Sequence, residues 1–470
     1  MRINDSPAVR AQEFVAMFGK LTFLGAVGTV TGSKYLLQTE DSRILIDCCL
    51  FQGFKQLRLR NWAPFPVPPS SIDRVLLTHA HLDHSGYLPL LVKNGFRGPI
   101  HCTDATHDLC GLLLPDSGHL QERDAEFANR HGYSKHKPAL PLYTQMDAEA
   151  ALEHFRELRF RESIALGGDL KARFLYAGHI LGAAMIELTI GPNKIVFSGD
   201  LGRPNDVCLF DPDTIESADY LVVESTYGDR KHEARSAEDA LSESLGRTAA
   251  RGGTVVIPSF AVGRTQALLF YLHRLRQANR IPDLPIYLDS PMAIDATEIF
   301  ERHPDEHRLT PVEVEAAFAG VHYVRTIEES KELDSQPMPK VIVSASGMAT
   351  GGRVLHHLEA YASDPRNLIL FVGFQAGGTR GASMTQGADT IKLHGRYIPV
   401  RAEVENLHML SAHADTDEIM AWLRRFRTGP KMTFITHGEP APADALRHRI
   451  AEELGWACTV PDYRESADLA

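Results

Sequence analysis

Short apolar segments rich in β-branched residues dominate the first half of the chain. Leu21–Leu37 predicts short strands broken by glycines, and Arg43–Cys48 and Arg74–Thr78 are apolar runs that end in polar residues. Similar runs follow at Ala184–Ile190, Lys194–Phe197 and Tyr220–Val223. Runs of this kind are typical of buried strands in a sheet that is covered on its faces.

Near Gly228 the pattern changes to alternating strands and helices. The apolar run Gly253–Pro258 leads into Arg264–Arg276, where apolar residues recur with a helical period. Three more short apolar runs lie at Ile286–Leu288, Val341–Val343 and Leu368–Val372. Alternation of this kind predicts a parallel, doubly wound sheet.

The end of the chain returns to the first pattern. Strand-rich sequence resumes at Ile398, followed by a predicted strand at Met432–Thr436 and a predicted helix at Ala443–Glu453. We therefore predict a smaller α/β domain inserted into a larger, discontinuous one. The predicted boundaries are 1–228 and 392–470 for the larger domain and 229–391 for the inserted domain.

Composition narrows the class of protein. A length of 470 residues favours two domains. The net charge of −11 argues against a protein that coats nucleic acid, but it is compatible with a local basic cleft around bound cations. The six cysteines form no C-x-x-C pair, no apolar run is long enough for a membrane span, and the N-terminus lacks a secretion signal. We predict a cytoplasmic protein without a membrane partner.

The strongest chemical signal is the segment Thr78–Gly86, THAHLDHSG, which follows an apolar run. It holds three imidazoles and one carboxylate, those of His79, His81, Asp83 and His84. Such nitrogen and oxygen donors suit zinc. In a loop, the first two side chains can point one way and the last two another, which half-fills two adjacent metal sites. The alternative is a polar turn that is histidine-rich by chance.

Polar residues after other apolar runs offer the remaining ligands. His179 lies in AGHILG, Asp200 in FSGDLG, and His437 in THGE. Each alone is more often a capped turn or a hydrogen-bonded histidine. Most of them adjoin glycine, however, which lets the backbone approach a crowded centre. Together they predict a two-metal site.

These motifs resemble those of the metallo-β-lactamase-fold hydrolases, and specifically the β-CASP nucleases that include RNase J and the nuclease of pre-mRNA 3′-end processing. The resemblance runs from about Leu21 to the helix after His437. It implies an α/β fold: a metallo-β-lactamase αββα sandwich with an inserted β-CASP domain that contains a parallel sheet. It also implies that Asp47, at the end of a strand, orients the histidine motif from behind the ligands.

The resemblance further implies the ligands of two ions, which we expect to be Zn²⁺, with manganese or iron as alternatives. One ion is held by His79, His81, His179 and Asp200. The other is held by Asp83, His84, Asp200 and His437. Asp200 then bridges the two ions.

Two further motifs are implied to act in catalysis together with Asp83. Glu224 in VVESTYG resembles the acidic motif of the family, and His413 in SAHAD its second histidine motif. We expect Glu224 to keep His413 charged, so that His413 protonates the departing 3′ oxygen. The SAHAD sequence alone fits a structural histidine equally well. His437 occupies the third motif, where RNA-acting members carry histidine and DNA-acting members an apolar residue.

Segments of the inserted domain also match the family: PSFAVGRTQ, DSPMA and SASGM. From them we expect substrate contacts by Ser259, Arg264, Ser344, Ser346 and Gly347. Arg264 can equally be a solvated arginine at the head of a helix. The two serines at 344 and 346 are either turn residues or present hydroxyl and N–H groups to a phosphate.

The predicted function is that of a zinc-dependent ribonuclease that hydrolyses single-stranded RNA to products with a 5′-phosphate, in RNA processing or decay. One alternative is the same metal chemistry on DNA or on a small ester or thioester. A second is a non-enzymatic relative, which the seven intact ligand positions disfavour. The sequence leaves open endonuclease or 5′-exonuclease action, the RNA target and a homodimer as partner.

Overall fold

The structure of the protein is a computed structural model that describes residues 17–132 and 134–470. Its strands are β1 (Gly19–Phe23), β2 (Tyr35–Gln38), β3 (Arg43–Ile46), β4 (Arg74–Leu76), β5 (Ile100–Thr103), β6 (Phe155–Leu158), β7 (Ser163–Gly167), β8 (Leu170–Tyr176), β9 (Ala184–Ile190), β10 (Asn193–Phe197), β11 (Tyr220–Glu224), β12 (Val255–Pro258), β13 (Ile286–Leu288), β14 (Val321–Tyr323), β15 (Val341–Ser344), β16 (Leu368–Phe371), β17 (Thr390–Leu393), β18 (Arg396–Pro399), β19 (Glu403–Asn406), β20 (Met432–Thr436), β21 (Cys458–Thr459) and β22 (Ser466–Leu469).

The helices connect these strands and cover the sheets. They are α1 (Lys55–Arg60), α2 (Leu82–Ser85), α3 (Leu88–Lys93), α4 (Asp104–His131), α5 (Gln145–Leu152), α6 (Ala237–Ala250), α7 (Arg264–Gln277), α8 (Pro291–Arg302), α9 (Pro311–Ala319), α10 (Ile327–Ser335), α11 (Val354–Tyr361), α12 (Arg380–Thr385), α13 (Thr416–Leu423) and α14 (Pro440–Leu454). Short 3-10 turns lie at Pro69–Ser71, Pro304–Glu306 and His408–Leu410. No helix of the described residues has the length and apolar character to cross a membrane.

Two seven-stranded mixed sheets form the larger part of the molecule. Their strand orders are β22-β1-β2-β3-β4-β5-β6 and β21-β20-β11-β10-β9-β8-β7. In the first sheet β3 to β6 are parallel, and in the second the pairs that join β10, β11, β20 and β21 are parallel. The remaining pairs are antiparallel.

The two sheets pack face to face around an apolar core. The ring of Phe23 lies 5.0 Å from that of Phe434 on the other sheet, and Tyr35 lies 5.9 Å from Phe197. Ile44 belongs to this inner core, whereas the next residue, Leu45, packs with the helices on the outer face. Successive side chains of a strand point to opposite faces, so both faces of the sheet are buried. This is the predicted αββα sandwich, with helices outside two sheets.

The third sheet has six parallel strands in the order β14-β13-β15-β12-β16-β19. Val255 and Ile257 join the main core, whereas Val256 between them joins a separate core with α11 and α12. The alternation shows that apolar residues cover both faces of this sheet, as the doubly wound pattern predicted. The hairpin of β17 and β18 lies beside it.

The predicted domain limits stay a prediction. Strand β19 pairs with β16 in the parallel sheet, and the hairpin of β17 and β18 spans the predicted limit at 391. We therefore propose that the inserted domain ends after Asn406. The first 16 residues of the predicted larger domain lie outside the described residues.

Candidate active site

The predicted ligands converge at the carboxyl ends of parallel strands. His79 and His81 follow β4, Asp200 follows β10, and His437 follows β20. His179 lies in the turn between β8 and β9. Strand ends that share an edge bring their following residues together, and this is where open α/β layers place their sites.

The segment Leu82–Ser85 is a one-turn helix, α2, and not the loop that the sequence suggested. The helix begins after His81 and places Asp83 in its first turn. His84 and Ser85 are its buried residues. Because side chains on consecutive helical positions point in different directions, the helix also separates the two halves of the motif.

Four donor atoms of the first cluster face a common point. His81 Nδ1 lies 3.2 Å from both His79 Nε2 and His179 Nε2. Asp200 Oδ2 lies 3.5 Å from each of those two Nε2 atoms. A tetrahedral zinc ion with bonds of about 2.0–2.1 Å separates its ligand atoms by about 3.3–3.4 Å. The observed spacing therefore fits one such ion.

The second cluster shares Asp200 with the first. His84 Nε2 lies 3.2 Å from His437 Nε2 and 3.1 Å from Asp200 Oδ1. Asp83 Oδ2 lies 3.7 Å from His437 Nε2. The two carboxylate oxygens of Asp200 thus face the two clusters, one each, which is the arrangement that a bridging ligand needs.

Asp47 fixes the orientation of this edge of the sheet. It accepts hydrogen bonds from the Thr78 amide and hydroxyl at 2.8 and 2.9 Å, and its Oδ2 lies 2.7 Å from His84 Nδ1. A carboxylate on the far nitrogen of an imidazole sets the ring so that the other nitrogen is free to bind a metal. Asp47 therefore lies behind His84, and its orienting role stays a prediction.

Burial sets the charge state of the three imidazoles of the first cluster. It lowers the pKa values of His79 and His179 well below their usual range and also lowers that of His81. Desolvation disfavours the charged form, so these three rings are neutral at neutral pH. A neutral imidazole is the form that binds a metal ion.

His413 and Glu224 form a pair beside the clusters. His413 Nδ1 lies 3.1 Å from Glu224 Oε1, and the His413 ring lies 4.4 Å from that of His179. Burial acts to lower the pKa of His413, but the charge and hydrogen bond of Glu224, with Asp200 and Asp83, outweigh it and raise the pKa to about 9. Its imidazole is thus held as a cation at neutral pH.

Comparison with known proteins places the chain in a family. Residues 27–259 match the metallo-β-lactamase superfamily, residues 265–384 the Beta-Casp domain, and residues 397–461 the Zn-dependent metallo-hydrolase RNA specificity domain. Ribonuclease TTHA0252 of Thermus thermophilus is 38% identical over 437 residues, which cover 91% of this chain and 95% of the relative. This chain is a β-CASP member of the metallo-β-lactamase superfamily.

Other relatives extend the comparison. Transcription termination factor FttA of Methanosarcina mazei is 33% identical over 455 residues, which cover 93% of this chain and 69% of the factor. A crystal structure of a protein of unknown function from Enterococcus faecalis covers 96% of this chain and is itself covered completely, with a TM-score of 0.53 at 12% identity. The latter likeness concerns the fold alone.

A cleft of about 340 Å³ joins the ligand clusters to the β-CASP domain. Its metal-side wall includes His81, Asp83, His179, Asp200, His413 and His437. Its β-CASP wall includes Phe260, Arg264, Ser346, Gly347, Met348 and Phe374. Three of the five residues predicted to contact substrate, Arg264, Ser346 and Gly347, therefore line the cleft of this β-CASP protein.

The other two predicted contacts lie inside the β-CASP sheet. The Ser344 hydroxyl donates to the Asp289 carbonyl at 2.8 Å, and the Ser259 amide donates to the Ser344 carbonyl at 3.0 Å. Both serines are buried, and neither lines the cleft. Their hydrogen bonds instead join neighbouring strand ends below the loop that carries Ser346.

Sequence reasoning missed part of the cleft. Gly373, Phe374 and Ala376 line it from the loop after β16, and Thr31 and Gln52 line it from the lactamase side. The glycine-rich sequence GFQAGG from Gly373 to Gly378 was a usable signal, since it follows an apolar strand as the ligand segments do. Thr31 and Gln52 carried no comparable signal.

Proposed function

We propose that this β-CASP protein is a two-metal hydrolase that cleaves phosphodiester bonds in single-stranded RNA. The observation that carries the proposal is the pair of ligand clusters that share Asp200 on the wall of a cleft. The names of its relatives, a ribonuclease and a transcription termination factor, support RNA as the substrate class. The match to an RNA specificity domain over residues 397–461 supports it as well.

The donor set fits two zinc ions. His79, His81, His179 and Asp200 would hold one ion, and Asp83, His84, Asp200 and His437 the other. Histidine nitrogens and carboxylate oxygens suit zinc, and the same donors accept manganese. Bound there, two divalent ions would supply an activated water at neutral pH and polarise a phosphate oxygen.

The proton for the leaving group would come from His413. Its Nδ1 is held by Glu224, which leaves Nε2, on the opposite side of the ring, to donate to the departing 3′ oxygen. Glu224 itself is fixed by the Leu201 amide, which donates to Oε1 at 2.5 Å, and by the Thr226 amide, which donates to Oε2 at 3.2 Å. An imidazolium oriented in this way meets the geometric needs of a general acid. The product would carry a 5′-phosphate.

A buried cation on the opposite wall supports an anionic substrate. Arg264 begins α7, is buried, and lines the cleft. Within residues 17–132 and 134–470 no carboxylate lies within 4.0 Å of its guanidinium. Asp206 acts on this charge only from a greater distance. Burial of the guanidinium is costly, and a phosphate of the substrate would offset that cost with charge-assisted hydrogen bonds.

Metal analysis and one cleavage assay test the proposal. The purified protein is analysed for bound metal and then incubated with end-labelled single-stranded RNA and with DNA of the same sequence. We expect about two zinc or manganese ions per chain and cleavage of RNA over DNA. Equal cleavage of DNA and RNA would refute specificity for RNA. A folded protein that binds no divalent ion would refute a two-metal hydrolase.

Two predictions from the sequence accompany the proposal. We propose a cytoplasmic protein that acts as a monomer or as a homodimer. Sedimentation velocity across a range of concentrations tests the second point, because a dimer would sediment with twice the mass of about 52.0 kDa. Cell fractionation tests the first.

A further inference from the structure

The helix α1 carries an exposed surface that the site described above does not use. We call it the α1 platform and define it by Phe54, Lys55, Arg58, Arg60 and Trp62. The helix has no buried residue. The side chains of Phe54 and Trp62 are 60% and 59% exposed. Exposed aromatic residues grouped in this way, with charges between them, are typical of binding surfaces.

The charge of the α1 platform differs from that of the whole chain. The protein has a net charge of −11, yet no acidic residue occurs between Asp47 and Asp73. Within the described part of the chain, no carboxylate pairs with Lys55 or Arg58 at 4.0 Å or less. The platform is therefore a local cationic surface whose charges are available to an anion.

The base of the platform is rigidly held. Asn61 Nδ2 donates to the Phe51 carbonyl, and the Phe51 amide donates to Asn61 Oδ1, both at 2.8 Å. Arg60 lies over the Tyr463 ring at 4.2 Å from its centroid. These contacts fix the segment on both sides of Lys55 and Arg58, so the exposed side chains are displayed on an ordered backbone.

The platform begins at the rim of the cleft. Gln52 lines the cleft, and its amide donates to Thr31 Oγ1, also on the wall, at 3.2 Å. Phe54 lies against the β-CASP loop, where a Cβ added at Gly377 would sit 3.5 Å from its ring. From there α1 extends for about 9 Å at 1.5 Å per residue. A chain that leaves the cleft past Phe54 would next meet Lys55, Arg58 and Trp62.

We propose that the α1 platform binds the part of a single-stranded RNA that extends beyond the cleft, with Phe54 and Trp62 stacking on bases and the cations contacting phosphates. This inference rests on the proposed function. Aromatic rings combined with basic residues along a groove are how single strands are bound without sequence preference. The occupant is an anionic polymer with flat rings, which matches both features of the surface.

Kinetics with short and long substrates test the proposal. The variant Lys55→Ala/Arg58→Ala/Trp62→Ala is compared with wild type on single-stranded RNA of 6 and of 20 nucleotides. Loss of one stacked base and two phosphate contacts should raise KM for the longer RNA about tenfold or more. It should also reduce the slope of log affinity against log salt by about 1.4. The 6-nucleotide RNA has fewer nucleotides that extend beyond the cleft, so its KM should rise less.

A matched variant controls for general surface effects. Arg159→Ala/Lys171→Ala/Tyr323→Ala also removes two exposed cations and an exposed aromatic ring, and none of the three lines the cleft or lies within residues 397–461. It should behave as wild type on both RNAs. Hydrolysis of bis(p-nitrophenyl) phosphate should be unchanged in both variants, because the platform contacts no predicted metal ligand. Equal KM values for the platform variant, the control and wild type on the long RNA would overturn the proposal.

Tryptophan fluorescence gives a second measurement that does not need cleavage. Trp62 is exposed, whereas Trp422 is buried and Trp456 is half-buried. RNA of 20 nucleotides should quench the emission of wild type and leave that of Trp62→Phe unchanged. Quenching without RNA cleavage would refute the proposed function and keep the platform. Cleavage without quenching would refute RNA binding by the platform and leave the proposed function standing. Quenching by anionic phospholipid vesicles but not by RNA would also refute RNA binding by the platform.

Discussion

Two regions of the described chain bury histidines beside carboxylates, the predicted ligand clusters and a network around Asp289, and they differ in how their polar atoms are paired. In the β-CASP domain, Asp289 accepts hydrogen bonds from Ser330, Arg353 and His357, and His357 Nδ1 lies 2.7 Å from Asp334. Both nitrogens of His357 thus face carboxylates. In the ligand clusters, by contrast, imidazole nitrogens face one another at 3.2 Å.

The contrast separates a structural network from the clusters that we propose to bind metal. When two neutral imidazole nitrogens face each other, only one of them can carry a proton between them. Three such nitrogens that converge on one point therefore leave unprotonated lone pairs directed into the same space. A closed network such as that of Asp289 satisfies its members by itself and holds strand and helix ends together. Residue type and burial are similar in the two clusters, and the direction of the lone pairs distinguishes them.

The largest expected effect is on the shared ligand. Asp200→Ala removes one donor from each cluster, so both ions should be lost and RNA cleavage should fall more than about 10³-fold. Metal analysis after gel filtration, together with the cleavage assay, measures this. A variant that keeps two ions would show that Asp200 does not bridge them.

His413→Ala should affect the reaction and spare the metal. Loss of a general acid slows turnover by about 10²–10⁴-fold. Because His413 lies beside the clusters and not among their donors, metal content should equal that of wild type. Loss of metal in this variant would instead make His413 a ligand and would break the distinction between the pair and the clusters.

Asp289→Asn should have the opposite signature. It leaves Arg353 without its carboxylate and leaves His357 with Asp334 alone, and breaking a buried pair in this way costs about 3–5 kcal/mol of unfolding free energy. Metal content of the folded fraction should be unchanged. Denaturant unfolding measures the loss, with Asp364→Asn as a control, since its exposed ion pair with Arg366 contributes little. Metal loss from folded Asp289→Asn would mean that the two clusters are coupled.

The smallest effect concerns a third cluster, Asp104, His303 and Glu306. Burial, reinforced by Asp104, raises the pKa of Glu306 to about 9, and the hydrogen bond from Glu306 lowers the pKa of Asp104. We therefore expect the carboxyls to share a proton and not a metal.

The pH dependence follows from the sign of that shift. The folded protein holds the Glu306 proton that the unfolded chain releases near pH 4.5, so this contribution to stability is complete below pH 4.5 and is lost as pH rises toward 9. Glu306→Gln keeps a donor, and its melting temperature should exceed that of wild type by about 2 °C at pH 8. The two should agree near pH 4. If added zinc raised the melting temperature of wild type but not that of Glu306→Gln, this cluster would be a metal site instead.

Much of the fold could be predicted because its buried strands are continuous apolar runs. The predicted strand at Met432–Thr436 coincides with β20, and the helix predicted at Arg264–Arg276 is α7 within one residue. The resemblance supplied the candidate ligands, although it could not show that α2 replaces a loop. The local sequence pattern could not predict that His179 and His437 lie at the same edge of a sheet, because the order of the strands in the sheet decides which strand ends are neighbours.

Elements without an apolar pattern were missed. Strand β22 has the sequence SADL and is held at the sheet edge by pairing with β1. Its sequence contains no apolar pattern that would predict a strand. The 28-residue helix α4 contains Pro115 and many polar residues, so its periodicity is weak. Helix α13 lies where strands were expected, and its capping box at Asp415 and Glu418 was the overlooked signal.

The wide spacing of the ligands along the chain has a consequence for biosynthesis. His84 and His437 are 353 residues apart, and the amide of His437 is held by the carbonyl of Ala26. At a translation rate of about 5–20 residues per second, about 20–70 s pass between synthesis of the first and the last of these histidines. A nascent chain that has passed Asp200 but has not reached His437 therefore carries three of the four proposed ligands of the second cluster, and the proposed two-metal site would be complete only after His437 is synthesised.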